Sequence, residues 1–536
     1  MLALLWLSLF SLALGRSPVA HLNYASYHGR STSGISQWVG MRYAAAPVGD
    51  LRFEAPQDPP VVTGLQQATQ HGALCIPVAG KRNAAVPSNH AEDCLFIDVY
   101  APTEAYLSNA SLPVYFFIQG GGFAALSNPN YNGSGLVQAS GNNIVVVTFN
   151  YRVGPYGFLA SEEMEQGASL NNGLKDQLKA LKWVKKHISK FGGNPDHIVI
   201  GGDSAGGASV TLLLSAYGGR DEGLFIGAAA ESQSFGTVLN VTESQFSYNR
   251  LVTRTGCNET ENTLECLRGL DVSDLQSENI VTPLPGAPGN PLYLYSPTID
   301  GDLVQDHTYT LFQQGKFIKV PVIFGDDTNE GTIFVPVGTS SVGQAEEFIK
   351  DQFPSMSKDQ MTKIHKIYLN KNQTKEFPNA GLYWRPASNA YGELRYICPG
   401  IHMSSIYAAA GVPSWNYHYA VLDPDDDTKG FGTTHTVEVN AIWGPDYVST
   451  NPPDSYYTSN AAIVPVVQGY WTSFIRSLNP NTHRVASSPR WRTWGDGDDA
   501  YNRIFLRTNH TRMEKVSDEQ QERCNYLISI GVELRQ

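Results

Sequence analysis

Residues 201–210 read GGDSAGGASV. The apolar run HIVI (197–200) precedes them and TLLLSA (211–216) follows, so the segment turns a strand into a helix. Glycines at such a turn have two explanations. They let strand and helix pack closely, or they clear space around Ser204 so that its hydroxyl can act as a nucleophile. Gly202-Asp203-Ser204-Ala205-Gly206 fits G-x-S-x-G, in which the serine occupies a sharp turn that larger neighbours would obstruct. The turn exposes the hydroxyl and aims the Ala205 amide toward the place where an oxyanion would form. Strand–turn–helix context favours the nucleophile.

Working outward, apolar strands alternate with helical stretches along the chain. LPVYFFIQGGGF (112–123) reads as a strand running into three glycines, and NNIVVVTFNYR (142–152) as another buried strand. In LNNGLKDQLKALKWVKKHISKFGG (170–193), Leu174, Leu178, Leu181, Val184 and Ile188 recur at helical spacing, and Gly192–Gly193 end the run. VPVIFG (320–325) and WNYHYAVLD (415–423) are strand-like again. Fully apolar strands alternating with helices predict an α/β architecture, a large mostly parallel sheet covered on both faces. Loops at the carboxyl ends of such strands hold the site. The glycines of Gln119-Gly120-Gly121-Gly122-Phe123 fall at one of these ends, where backbone amides unshielded by side chains can approach an oxyanion.

The 536 residues are 42% hydrophobic and 16% charged, enough apolar material for one large domain, with a formal charge of −12. No cationic run tracks a phosphate backbone, which excludes nucleic acid as a partner. The opening MLALLWLSLFSLALG is an apolar run too short to span a bilayer, with small residues where a signal peptidase cuts. Residues 1–20 are therefore expected to be a secretory leader cleaved after residue 15 to 20, and 21–536 a single extracellular domain without an integral membrane span. Six N-x-S/T sequons, at Asn109, Asn132, Asn240, Asn258, Asn372 and Asn509, offer sites for N-linked glycans. Six cysteines suit an oxidising compartment. Spacing suggests Cys75 with Cys94 and Cys257 with Cys266, leaving Cys398 with Cys524. No CxxC or HxxxH accompanies them to favour a metal.

The chain resembles the type-B carboxylesterase/lipase family, the esterase/lipase/cholinesterase group of α/β-hydrolases, and most of all its fungal secreted members. GGNPDHIVIGGDSAGGASV (192–210) is similar to the family's serine signature, and EDCLFIDVY (92–100) to a second signature around a disulfide cysteine. APVGDLRFEAP, NYRVGPYGFLA, SPTIDGDL and GTTHTVEVNAIWG follow in the family's order. The resemblance implies an α/β-hydrolase fold. It implies Glu330, in GDDTNEG, as the triad's acid, with Asp326 and Asp327 as nearby alternatives, and His435 as its histidine. Its oxyanion donors map to the amides of Gly121, Gly122 and Ala205. Arg52 with Glu92, and Arg152 with Asp176, resemble internal ion pairs. Glu438 and Ser234 fall where the family places supporting groups near the histidine. Asp203 stands where many relatives carry glutamate.

Ser204, Glu330 and His435 then form a triad of the α/β-hydrolase order. The histidine takes the serine's proton, an acyl-enzyme forms, and water releases the acid, with neither metal nor organic cofactor. The 18-residue segment between Cys75 and Cys94 lacks the tryptophan with which cholinesterases bind quaternary ammonium. It is also short and polar where interfacial lipases of the family carry a long amphipathic flap. The expected function is a secreted carboxylesterase acting on small or medium soluble esters, acylated specialised metabolites among them. The alternatives are a triacylglycerol or sterol-ester lipase and a non-catalytic adhesion-type homologue.

Overall fold

A computed structural model describes residues 17–370, 377, 379–449, 451–496 and 500–536. Most of the expected leader, and the sequon at Asn372, lie outside the described residues. The centre is an 11-stranded sheet. Its strands, in chain order, are β1 (Arg30–Thr32), β2 (Ile35–Arg42), β3 (Phe96–Pro102), β4 (Leu112–Ile118), β5 (Val145–Phe149) and β6 (Gly193–Asp203). They continue with β7 (Gly227–Glu231), β8 (Val322–Asp327), β9 (Ser414–Tyr419), β10 (Asn502–Leu506) and β11 (Arg512–Lys515). Across the sheet the order is β1-β2-β3-β5-β4-β6-β7-β8-β9-β10-β11. Strands β5 to β10 form a parallel centre, and antiparallel pairs finish both edges.

The central strands are apolar at consecutive positions because both faces are covered. In β4, Val114, Phe116 and Ile118 join one core while Tyr115 and Phe117 join the opposite one. The first core is closed by α1 (Asn172–His187), through Leu174, Leu178 and Leu181, and by α2 (Ala205–Gly219), through Val210 and Leu213. A third apolar cluster is built by α3 (Trp384–Gly392), α4 (Cys398–Ala409) and α6 (Asp518–Ile530). The second core is closed by α5 (Val464–Ser477) through Val467, Trp471 and Phe474. Helix α1 stops at His187, before the expected end, and a single 3-10 turn carries the chain to Gly192 at φ 86°.

Three disulfides join Cys75–Cys94, Cys257–Cys266 and Cys398–Cys524, the pairing the spacing suggests. The last ties α4 to α6. Arg52 bonds Glu92 with both ends of its guanidinium, and Arg152 does the same with Asp176, whose side chain is wholly buried. Asn109, Asn240, Asn258 and Asn509 are exposed and Asn132 is half-buried.

Candidate active site

The nucleophile turn is a product of close backbone approach. β6 ends at Asp203, Ser204 takes φ 55° and ψ −118°, and α2 begins at the next residue. A non-glycine residue at positive φ is strained and persists only when its surroundings fix it. Here the Ser204 amide donates to the Glu231 carbonyl (2.9 Å), and its own carbonyl accepts from Ala208 (2.8 Å) and Ser234 (3.3 Å). A Cβ at Gly206 would meet the Ile118 carbonyl oxygen at 1.9 Å, and one at Gly202 would meet the same oxygen at 2.6 Å. Both explanations for the glycines therefore hold at once: the packing is what makes so tight a turn possible.

Glu330 follows β8 and His435 lies in the loop after β9, so both reach the carboxyl edge where Ser204 stands. The two loops are clasped together. The Asn329 amide donates to the Thr433 carbonyl (2.9 Å), and the Asn329 side chain accepts from the Thr433 amide (3.0 Å). Gly432 lets them meet, since a Cβ there would sit 2.0 Å from Asn329 Oδ1. The result is a continuous line of contacts. Ser204 Oγ lies 2.9 Å from His435 Nε2, and His435 Nδ1 is hydrogen-bonded to Glu330 Oε2. A carboxylate only accepts, so this arrangement places the imidazole proton on Nδ1 and leaves Nε2 to accept from the hydroxyl. The line is largely dry: Glu330 is 1% exposed, His435 and Ser204 8% each. Rings of Tyr396 and Phe334 flank the imidazole, their centroids 4.3 and 5.1 Å away.

Asp326 and Asp327 do not take the place of Glu330. Asp326 accepts from Gln233 (2.9 Å), while Asp327 offers its backbone amide to Glu330 Oε1 (2.7 Å). Both side chains are held well above the carboxylate range, by burial first and then by neighbouring acids. Ser234 does not reach the histidine: its hydroxyl accepts from Arg395 (2.7 Å). The hydroxyl that bonds the acid is that of Ser232, donating to Glu330 Oε1 at 2.7 Å. Glu438 is buried beside them and accepts from Tyr417 (2.7 Å). Asp203 is buried and pushed up to about 7, chiefly by desolvation, against the pull of nearby His435; it accepts from the Gly120 amide (3.0 Å).

Gly121 and Gly122 both lie at positive φ, +112° and +64°. Among the described residues neither amide donates to a protein acceptor. With the Ala205 amide at the N-terminus of α2, they supply unspent donors beside the serine, where the helix dipole also favours negative charge. Among the described residues no cluster of three or more histidine, cysteine or acidic side chains is disposed to hold a metal, and no helix is long and apolar enough to cross a membrane.

This sheet, with a serine elbow and its loops at the carboxyl edge, is the α/β-hydrolase fold, and the protein is a carboxylic ester hydrolase. The chain belongs to the carboxylesterase family, whose model matches residues 16–526. It is 45% identical to Aspergillus niger EstA, whose crystal structure superposes with a TM-score of 0.92 over 97% of this chain and 99% of that one. Secreted lipase 4 of Gibberella zeae is 28% identical over 90% of this chain and 86% of its own length. Secreted lipase 1 of Botryotinia fuckeliana is 29% identical over 89% and 87%. Mouse neuroligin-2 is 27% identical over 89% of this chain, which spans 62% of that relative's length.

Proposed function

We propose that the protein is a secreted serine carboxylesterase in which Ser204 attacks the ester carbonyl, His435 shuttles the proton and Glu330 orients and charge-balances the imidazole. The amides of Gly121, Gly122 and Ala205 receive the oxyanion. The observation that carries this reading is the buried line Glu330–His435–Ser204 beside the Gly121 and Gly122 amides, which among the described residues donate to no protein acceptor. His435 takes the Ser204 proton as the bond to the carbonyl carbon forms, then returns it to the departing alcohol. Water, deprotonated by the same imidazole, cleaves the acyl-enzyme. Ser232 and the Asp327 amide hold Glu330 in place throughout.

The test is Ser204→Ala. Turnover of short-chain esters is expected to fall on the order of 10⁴–10⁶-fold, as in other triads, with labelling by a fluorophosphonate abolished. Wild-type turnover in that variant would defeat the assignment. Full labelling of the parent protein would exclude an adhesion-type role without catalysis.

The substrates in this reading are dispersed esters of small or medium size. The segment from Cys75 to Cys94, where a lipase flap would lie, is fastened at several points besides its disulfide. Val78 donates to the Ala124 carbonyl and Ala79 to that of Asn279, each at 2.8 Å, and Arg82 pairs with Glu278. A segment so fastened does not swing open at a lipid surface. Residues 1–20 are read as a cleaved leader and 21–536 as one catalytic domain. A cut after Gly15 leaves the strand Val19–His21 whole, whereas one after Ala20 removes two of its three residues. The exposed sequon asparagines are the expected glycan carriers.

A further inference from the structure

Among the described residues, Arg52, Arg152, Arg395 and Arg503 are buried arginines. Three are neutralised by carboxylates: Arg52 by Glu92, Arg152 by Asp176 and Arg503 by Glu514. Arg395 is the exception. It is 8% exposed, and no carboxylate of the described residues lies within ion-pairing distance of its guanidinium. Its Nε donates to Ser234 Oγ, and the guanidinium lies 5.2, 5.9 and 5.9 Å from the ring centroids of Tyr293, Tyr391 and Tyr396. Aromatic faces soften the cost of burying a cation but present no acceptor to its N–H groups. The hydroxyls of Tyr391 and Tyr396 are buried in the same cluster and interact with the guanidinium and with each other, so the partners of Arg395 are neutral groups alone. A buried cation surrounded by rings and neutral hydroxyls, with no carboxylate to balance it, is an uncompensated charge.

The cluster stands next to the reacting centre. Tyr293 presses one edge of its ring against Gly122, where a Cβ would come within 2.1 Å of it, and Arg395 lies over that same ring. Ser234, which accepts from Arg395, donates its own amide to the Ser204 carbonyl. Gly122, Ser234, Tyr293 and Arg395 line one small cavity, about 50 Å³, whose other walls include Phe123, Leu212 and Leu294. The helix aims the arginine there through an irregularity. Residues Glu393–Ile397, between α3 and α4, form a π-helical turn, a feature that re-aims side chains and recurs at functional sites.

We propose that Arg395 binds a carboxylate carried by the ester substrate, so that the enzyme prefers anionic esters such as hemiesters of short dicarboxylic acids. The inference rests on the esterase reading of the same site. Its selectivity is local, because the protein as a whole carries a formal charge of −12 and repels anions at long range. A carboxylate in the cavity gives the guanidinium the charged acceptor it lacks.

The experiment compares kcat/KM, by pH-stat, for monoethyl glutarate and its neutral counterpart ethyl valerate, which tests a carboxylate on the acyl side. A second pair, 4-acetoxybenzoate and phenyl acetate, tests a carboxylate on the alcohol side. The wild-type enzyme is expected to favour the charged member of one pair by tenfold or more. Arg395→Gln should lower that charged-to-neutral ratio by about 10- to 100-fold, the worth of a hydrogen bond to a charged group, and Arg395→Lys should restore part of it. Equal rates within both pairs for the wild type, or an equal loss on charged and neutral esters in Arg395→Gln, would overturn the proposal. If the variant does not fold, the wild-type ratios and competition by glutarate against ethyl valerate decide the question alone. Activity that depends on Ser204 but ignores charge refutes only the anion site, whereas activity that survives Ser204→Ala refutes the esterase assignment beneath it.

Discussion

Around Ser204 the chain builds with backbone, and around Arg395 it builds with side chains. The first region consists of glycines at positive φ, unspent amides and a turn held by main-chain hydrogen bonds. At Gly202 and Gly206 its geometry is fixed because a displacement brings backbone against backbone. The second consists of an arginine and three tyrosines drawn from two segments far apart in the chain, whose polar ends are only partly satisfied. A shared reaction needs donors at one invariant place, whereas a choice among substrates needs a wall that can be changed residue by residue. The comparison predicts that substitutions in the first region cost turnover on every ester, and that those in the second redistribute activity among esters.

The sharpest way to break that contrast is at Gly122. Alanine there needs φ near +64° and drives its Cβ into the Tyr293 ring. Moving the amide by a fraction of an ångström removes one oxyanion donor, for which a fall in kcat of about 10²–10³ is expected, alike on acetate, butyrate and anionic esters. A kcat within a fewfold of wild type, measured on protein with an unchanged melting temperature, would mean that this amide carries no charge in the transition state.

A smaller effect concerns the fastened segment between Cys75 and Cys94. Passing tributyrin through its solubility limit is expected to raise the rate less than about twofold, since the fastened segment offers no open state for a lipid surface to stabilise. A tenfold jump would show that the hydrogen bonds of Val78 and Ala79 open at the interface, and the lipase reading would take over.

Much of the backbone-built region was legible in the primary structure because its constraints are local. Ser204 and its flanking glycines form a pattern whose steric logic survives without coordinates, and the apolar strands β4, β5, β6 and β8 show as unbroken runs. Glu330 and His435 are different. Each lies in a loop with no periodicity, and only likeness to a family singled them out. Likeness to the family points to Ser234 for a supporting hydroxyl, whereas the hydroxyl that bonds the acid belongs to Ser232, two residues earlier. Beyond β7 the chain presents successive side chains in different directions, so Ser232 meets Glu330 while Ser234 turns to Arg395. Arg395 has no local signature in the sequence. The π-helical turn Glu393–Ile397 that carries the arginine leaves no trace in hydrophobic spacing.

The least conspicuous test separates the two regions by their response to pH. Asp203 lies under the serine and is fully buried, with its ionisation pushed from the ordinary 3.8 up to about 7, mainly by desolvation. In the unfolded chain it ionises near the ordinary value, so between the two pH values the folded protein holds a proton that the unfolded one has lost. Its contribution to stability is therefore whole below pH 3.8 and is progressively lost as pH rises through about 7. Asparagine at this position keeps an oxygen for the Gly120 amide and does not titrate. Between pH 5 and pH 8 the stability of Asp203→Asn relative to wild type should rise by about 3 kcal/mol, or about 3 °C in melting temperature for a protein of this length. Arg395→Gln should show no comparable trend, because an arginine stays protonated throughout that range. A melting difference for Asp203→Asn that is flat across the range would mean that the carboxylate is charged in the folded protein at pH 5. The floor beneath Ser204 would then have to hold a counter-charge for it.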